Sequence, residues 1–396
     1  MNNGLMKKVF TLIPFLALSL AVGAQEMANI GKTINVISPE VNGTTVTFRL
    51  EAPDARSVQV NGTMNEEYTI VNQYGGEARA CRPVDMKKNA DGVWEYTCTC
   101  QPNFYNYVFI VDGLSICDPA NPYRQRDGYD WLSAFIVDGE YSANYREANH
   151  RGNLHRVWYD SPTLGMNRRM VIYTPYGYED NPDKHYPVLY LYHGGMRDED
   201  QWADLGLVRQ ILDNRIEKGE AVPMIVVMPN IQTNLAAAEH IEVPGYRFKR
   251  QNGFNFGRGD FIGSMRDDII PYVDSHFRTI PDKAHRAVAG FSMGGGTTIN
   301  TILGLPEYFD YAVPMAAGSA DNPRTVAQWE HVKEVGYKLI YIGIGDDDTG
   351  YQGAETMHHM LDRLGMPHVF SVTPGGHAWY NCRHHLNAAL PLLFKE

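Results

Sequence analysis

Residues 287–300 read AVAGFSMGGGTTIN, and how this stretch must run decides the fold. The apolar Ala287-Val288-Ala289 predicts a buried strand, and residues 295–303 predict a helix. Between them Gly290-Phe291-Ser292-Met293-Gly294 fits the G-x-S-x-G pattern of a strand-to-helix elbow. Such a turn leaves the serine exposed and strained, and its glycines let neighbouring backbone pass close by. The N–H of Met293 falls at the helix N-terminus, where unpaired donors and the positive dipole end favour a developing oxyanion. The motif alone is equally compatible with a glycine-rich turn whose serine merely caps a helix. The rest of the chain has to decide.

A length of 396 residues suggests two or three domains, and 44% apolar with 20% charged residues describes a soluble globular protein. Residues 1–24 carry a basic start (Lys7-Lys8), an apolar run over 9–22 that is short for a span and holds Pro14, and the small-residue site Val22-Gly23-Ala24. They are expected to be a secretory signal peptide cut before Gln25. No cysteine follows the cut, so no lipid anchor is expected, and the mature protein is read as secreted or periplasmic. The formal charge is -11, and -13 without the leader, leaving 33 basic against 46 acidic residues. That balance argues against nucleic acid or an anionic membrane as partner. The one basic cluster, Arg247, Lys249 and Arg250, reads as a solvated loop. Of the five cysteines, Cys98 and Cys100 alternate along a strand and are poorly placed to bridge each other. A bridge from Cys81 to a strand cysteine stays open.

Outward from the elbow the chain divides in two. Residues 30–141 show short strands (44–50, 57–60, 92–100, 105–111) and an Asp112-Gly113 hairpin signal. This spacing, without helix-length periodicity, predicts an all-β immunoglobulin-like sandwich. Trp94 and Trp131 could stack on a sugar, although core or interdomain packing is the plainer role. Residues 142–152 are polar and read as a linker. From 153 to 396 apolar strands (169–174, 187–192, 223–228, 311–316, 338–344, 369–373) alternate with helices (205–216, 262–277, 353–364, 384–394), predicting an α/β domain with a mostly parallel sheet and helices on both faces. The irregular stretch 230–260 follows a strand's carboxyl end, where open α/β sheets bind ligands.

A serine nucleophile needs a base, an orienting acid and oxyanion donors. Asp346-Asp347-Asp348 follow the apolar strand 339–342. His377 follows strand 369–373 behind Gly375-Gly376. His193-Gly194-Gly195 follow PVLYLY and could lend an N–H to the oxyanion. All four pieces fall at strand ends in the order Ser…Asp…His, which is what an α/β-hydrolase requires. His358-His359 and His384-His385 are adjacent on helical patterns and point apart, so neither pair predicts a metal clamp. With no H-E-x-x-H, phosphate loop or dinucleotide fingerprint, no metal and no cofactor are expected.

With these residues in view, YPVLYLYHGG, Asp200-Gln201-Trp202, VMPN, DDIIPYVDSHF, HRAVAGFSMGGG and GGHAW resemble the esterase-D-like α/β-hydrolases, in the branch of feruloyl and acetyl-xylan carbohydrate esterases. The resemblance implies Ser292 as nucleophile, His377 as base, Asp348 as acid (through a G-x-x-D match from Gly345), and Gly195 and Met293 as backbone oxyanion donors. Trp379 is a candidate cleft residue, and Trp202 is expected to pack beneath the Gly195 loop. EAPDARSVQVNG, KNADGVWEYT, YNYVFIVDG and DPANPY resemble the early-set sandwich classed with glycogen-binding-type carbohydrate modules. Together these imply a secreted feruloyl esterase acting on feruloylated or acetylated xylan side chains. The alternatives are an acetyl-xylan esterase, a siderophore esterase, a related acyltransferase, and a carbohydrate-binding protein with an inactive hydrolase domain.

Overall fold

The computed structural model describes residues 34–71, 77–128, 130–238 and 259–395. The expected leader, the basic cluster at 247–250 and most of the 230–260 stretch lie outside them. The C-terminal half is built on eight strands: β1 (Asn153–Ser161), β2 (Met166–Thr174), β3 (Val188–Tyr192), β4 (Ile225–Pro229), β5 (Arg286–Phe291), β6 (Tyr311–Met315), β7 (Leu339–Gly345) and β8 (Val369–Thr373). They lie in the order β1-β2-β4-β3-β5-β6-β7-β8. The β1–β2 and β2–β4 pairs are antiparallel and the remaining pairs parallel. Every residue of β3, β4, β5 and β6 is buried, which is why these strands read as unbroken apolar runs: helices cover both faces. The sheet is that of an α/β-hydrolase.

Three details depart from the sequence reading. Strand β1 and the helix Pro323–Val335 were not anticipated. That helix buries only Trp329 and Val332, so its apolar stripe is thin, and its start is marked instead by the Asn322 side chain, which accepts the N–H groups of Arg324 and Thr325. The last long helix begins at Trp379 rather than 384, directly after the His377 turn. The helical stretch after Asp260 is interrupted by a π-turn, Met265–Ile269.

The N-terminal half holds two antiparallel sheets. One pairs Glu40–Asn42, Thr45–Glu51, Val93–Thr99 and Lys87–Lys88. The other is centred on Asn103–Val111, flanked by Val58–Gly62 and Asp130–Val137. Inward residues of both meet in one core, where Phe48 sits edge-on to Tyr107 (4.9 Å) and Phe135 (5.6 Å). The hairpin after Val111 turns through Asp112 and Gly113, both at positive φ, as the Asp-Gly pair predicts. A further hairpin, Glu67–Val71 with Glu77–Cys81, and the strand Arg124–Asp127 escaped the sequence reading. Trp94 is buried with its indole N–H on the Ala52 carbonyl, whereas Trp131 is exposed. All five cysteines are free thiols, so the bridge left open for Cys81 is not formed; the Cys98 and Cys100 sulfurs lie 3.6 Å apart.

The 142–152 connection is docked rather than slack. Tyr145 is buried in the C-terminal core, and Asn144 donates to Asn387. Phe104 and Ala134 of the N-terminal sheet join that same core. Among the described residues, no helix is long and apolar enough to cross a membrane.

Candidate active site

The elbow forms where the sequence puts it. Ser292 stands between β5 and the helix Met293–Gly304 at φ 57°, ψ −114°, a conformation an L-residue adopts only under strain of about 1–3 kcal/mol. The glycines are required by close approach. A Cβ on Gly290 would lie 2.4 Å from the Gly294 carbonyl oxygen, and one on Gly294 would lie 2.4 Å from that of Tyr192. The turn is therefore pressed against the end of β3, and the serine hydroxyl is turned outward.

His377, in the turn after β8, places Nε2 2.7 Å from Ser292 Oγ. Its Nδ1 lies 2.9 Å from both oxygens of Asp348, in the turn after β7. The Asp348 side chain is 1% exposed and the His377 imidazole 35% exposed, so the carboxylate is dry while the imidazole faces the cleft. The neighbouring acids are occupied elsewhere. Asp346 accepts the Gly375 N–H, which braces the His377 turn, and Asp347 is paired with Arg79. Of the three consecutive aspartates, only Asp348 faces the ring. Asp348 Oδ1 also accepts the Gly350 N–H at 2.7 Å, which fixes the carboxylate's rotation.

Gly195 lines the same cleft as Ser292 and His377, and Met293 opens the elbow helix, where the first N–H groups have no intrahelical acceptor. The Gly195 loop rests on a residue whose role was not legible in the motif. His193 is buried, its Nδ1 donates to the Gly194 carbonyl, and its Nε2 accepts the Ile231 N–H. Burial lowers its pKa, so it serves as a neutral brace. Trp202 packs beneath the same loop, its indole N–H donating to the Tyr192 carbonyl and its ring edge-on to Trp379 at 5.1 Å. Trp379 lines the cleft together with Phe291. Beneath β7 and β8, burial depresses the pKa of His385 to about 4 and raises that of the Cys382 thiol.

The cleft around Ser292 and His377 has a volume of about 520 Å³, within the ~300–1,000 Å³ usual for small-molecule sites. Chemically the arrangement offers a hydroxyl facing the cleft, an imidazole able to take its proton, a buried carboxylate to fix the imidazole's tautomer, and the free N–H groups of a helix start beside the serine. Away from it, His358, His359 and Asp362 bring ligand atoms within 4.8 Å of one another, the one set among the described residues that could share a metal ion. The two histidines are adjacent as the sequence shows; Asp362, one helical turn on, adds the third group.

Residues 161–393 match the Esterase family model, described as "Putative esterase". Over 357 residues the chain is 30% identical to an endo-1,4-beta-xylanase/feruloyl esterase of Xylanibacter ruminicola, covering 88% of this chain and 44% of that protein. The chain thus spans less than half the length of this relative. Among solved structures, the feruloyl esterase module from Clostridium thermocellum complexed with sinapinate aligns with a TM-score of 0.53 at 24% identity, over 64% of this chain and 92% of that one. The enterobactin esterase FES of Shigella flexneri aligns with a TM-score of 0.59 at 16% identity, over 89% and 94%. At such identities both likenesses concern the fold alone. The family match covers more than half of the chain and includes Ser292, Asp348 and His377: the chain belongs to the Esterase family.

Proposed function

We propose that the protein is a secreted serine carboxylic-ester hydrolase that releases hydroxycinnamoyl groups, feruloyl foremost, from the side chains of plant cell-wall xylan. The observation that carries this reading is the continuous chain from Ser292 through His377 to Asp348, set on a strained elbow. His377 takes the Ser292 proton as Oγ attacks the ester carbon. The oxyanion of the tetrahedral intermediate faces the N–H groups of Gly195 and Met293. Collapse breaks the bond to the alcohol oxygen, which leaves with the proton from His377. Water then gives its proton to His377, attacks the acyl-enzyme and frees the acid.

The acyl preference is supported by the likeness to the Xylanibacter endo-1,4-beta-xylanase/feruloyl esterase and by the aromatic lining of Phe291 and Trp379. A trianionic siderophore is disfavoured by the cleft's charges. Arg79 is neutralised by Asp347 and Arg197 by Asp127, while Arg383 is held by the Leu205 and Phe104 carbonyls. We read residues 30–141 as an early-set, immunoglobulin-like sandwich, residues 153–396 as the esterase domain, and residues 1–24 as the leader that would export both.

The test is hydrolysis of methyl ferulate, methyl p-coumarate and acetylated xylan side by side, with Ser292→Ala as control. Turnover of the two hydroxycinnamates, lost in the variant, is expected. Preference for acetyl groups overturns the feruloyl assignment, and full activity of Ser292→Ala overturns the mechanism.

A further inference from the structure

Residues from the N-terminal half line the cleft beside those that carry the hydroxyl and the imidazole. Thr63, Glu67, Arg79, Asn103 and Asp127 all border the same cavity as Ser292 and His377. They come from separate strands and turns of a unit with its own core, so their convergence needs a cause. Two clamps supply it, one at the loop that follows Gly195 and one at the turns that carry Asp347 and His377.

On the Gly195 side, Arg126 makes a bidentate pair with Asp198 at 2.8 and 2.5 Å, and Arg197 pairs with Asp127. Gln125 adds a hydrogen bond to the Asp204 carbonyl. The guanidinium of Arg126 and the carboxylate of Asp198 are both largely buried, at 15% and 8% exposed. A fork-on-fork pair in such a place fixes orientation as well as distance. On the His377 side, Arg79 of the Glu67–Val71/Glu77–Cys81 hairpin pairs with Asp347 and also donates to Thr69 of its own hairpin. The stem of Arg79 lies over Gly376, 3.9 Å from where a Cβ there would stand. That glycine immediately precedes the base. The hairpin is thus pinned against the turn that presents His377.

The chemistry then determines what this wall faces. The departing oxygen must receive its proton from His377 Nε2, so the alcohol half of the ester leaves on His377's side. Glu67 and Arg79 stand on that side. Their groups are exposed, ionic and rich in acceptors and donors, the surface a polyhydroxylated alcohol matches and an aryl ring does not.

We infer that the N-terminal unit is part of the active site: its paired strands Glu67–Val71 and Glu77–Cys81, pinned by Arg79 to the acid turn, are the binding wall for the sugar that leaves. This rests on the ester-hydrolase reading but not on the identity of the acyl group. The wall makes the enzyme selective for the alcohol, independently of whatever the acyl pocket selects. Arg79 acts as a positioning residue and Glu67 as a sugar contact.

The experiment compares esters that share an acyl group and differ in the alcohol: methyl ferulate against a feruloylated arabinoxylo-oligosaccharide, and a simple acetyl ester against the acetylated oligosaccharide. For the wild type, Glu67→Ala and Arg79→Ala, the readout is the ratio of kcat/KM for the sugar ester to that for the simple ester. Each variant is expected to lower that ratio about tenfold, mainly through KM of the sugar ester, the scale of one or two lost hydrogen bonds to charged groups. In the wild-type protein, de-esterified oligosaccharide is also expected to inhibit methyl ferulate hydrolysis competitively, a measurement that needs no variant to fold. The inference is overturned if the ratio is unchanged in both acyl series, if both esters lose activity in parallel, or if the free oligosaccharide does not compete. A wild type that ignores ferulate but shows the ratio effect with acetyl esters would sink the feruloyl reading and leave the wall standing.

Discussion

Replacing Asp348 by asparagine tests the site most sharply, because the change is isosteric and its consequence runs through a single proton. The carboxylate meets His377 Nδ1 with both oxygens at 2.9 Å, so Nδ1 must carry the proton and Nε2 is left with the lone pair that faces Ser292 Oγ. The Gly350 N–H, held at 2.7 Å on Oδ1, anchors the rotamer. In Asp348→Asn the amide keeps Gly350 satisfied with its oxygen and turns its NH₂ toward the ring. Nδ1 then has to accept, the proton moves to Nε2, and the ring can no longer take the serine's proton. The variant also loses the negative charge that stabilises the imidazolium, in a place with 1% exposure where water cannot substitute. For an isosteric change of this kind in another serine hydrolase the loss in kcat is about 10⁴, equivalent to ~5.5 kcal/mol of barrier. The assay is kcat for methyl ferulate on the pH plateau, with Asp346→Asn and Asp347→Asn in parallel. Those two carboxylates hold a backbone N–H and an arginine rather than the ring, so each is expected to lose tenfold at most. The reasoning is refuted if Asp348→Asn retains more than a tenth of wild-type turnover, or if Asp346→Asn falls as far.

Two further expectations follow from strain and burial. Ser292→Gly removes the side chain from a backbone at φ 57°, so it should raise the unfolding free energy by about 1 kcal/mol, read by urea denaturation, while abolishing turnover; a less stable variant would mean the elbow is not strained. His385 has a folded-state pKa of about 4, against ~6.5 unfolded, because it is buried and beside His384. Below pH 6.5 the unfolded chain binds the proton first, so this group's share of stability is intact above pH 6.5 and falls by about 3 kcal/mol as pH drops to 4. Unfolding curves at pH 7 and 4.5 should show that slope in the wild type and a shallower one in His385→Gln; equal slopes would refute it.

The sequence by itself determined whatever depends on neighbours along the chain. Unbroken apolar runs announced β3, β4 and β5 because a sheet covered on both faces leaves no polar side to alternate with. G-x-S-x-G announced the elbow because only glycine tolerates the carbonyls 2.4 Å away. Glycine-rich turns at strand ends announced where a base and an acid could stand. The G-x-x-D match from Gly345 pointed to Asp348 by resemblance, but only tertiary structure gives the reason: Asp346 is taken by the Gly375 N–H and Asp347 by Arg79, which leaves Asp348 to face the ring. Tertiary structure alone decided that His193 is a brace and not a base, through a backbone N–H 38 residues away. It also brought Arg79 to Asp347, 268 residues apart, making the cleft a joint property of two halves that each read as self-contained. Local propensity reports the geometry of a turn; which turns meet is set by how the cores pack, and no window of sequence contains both partners.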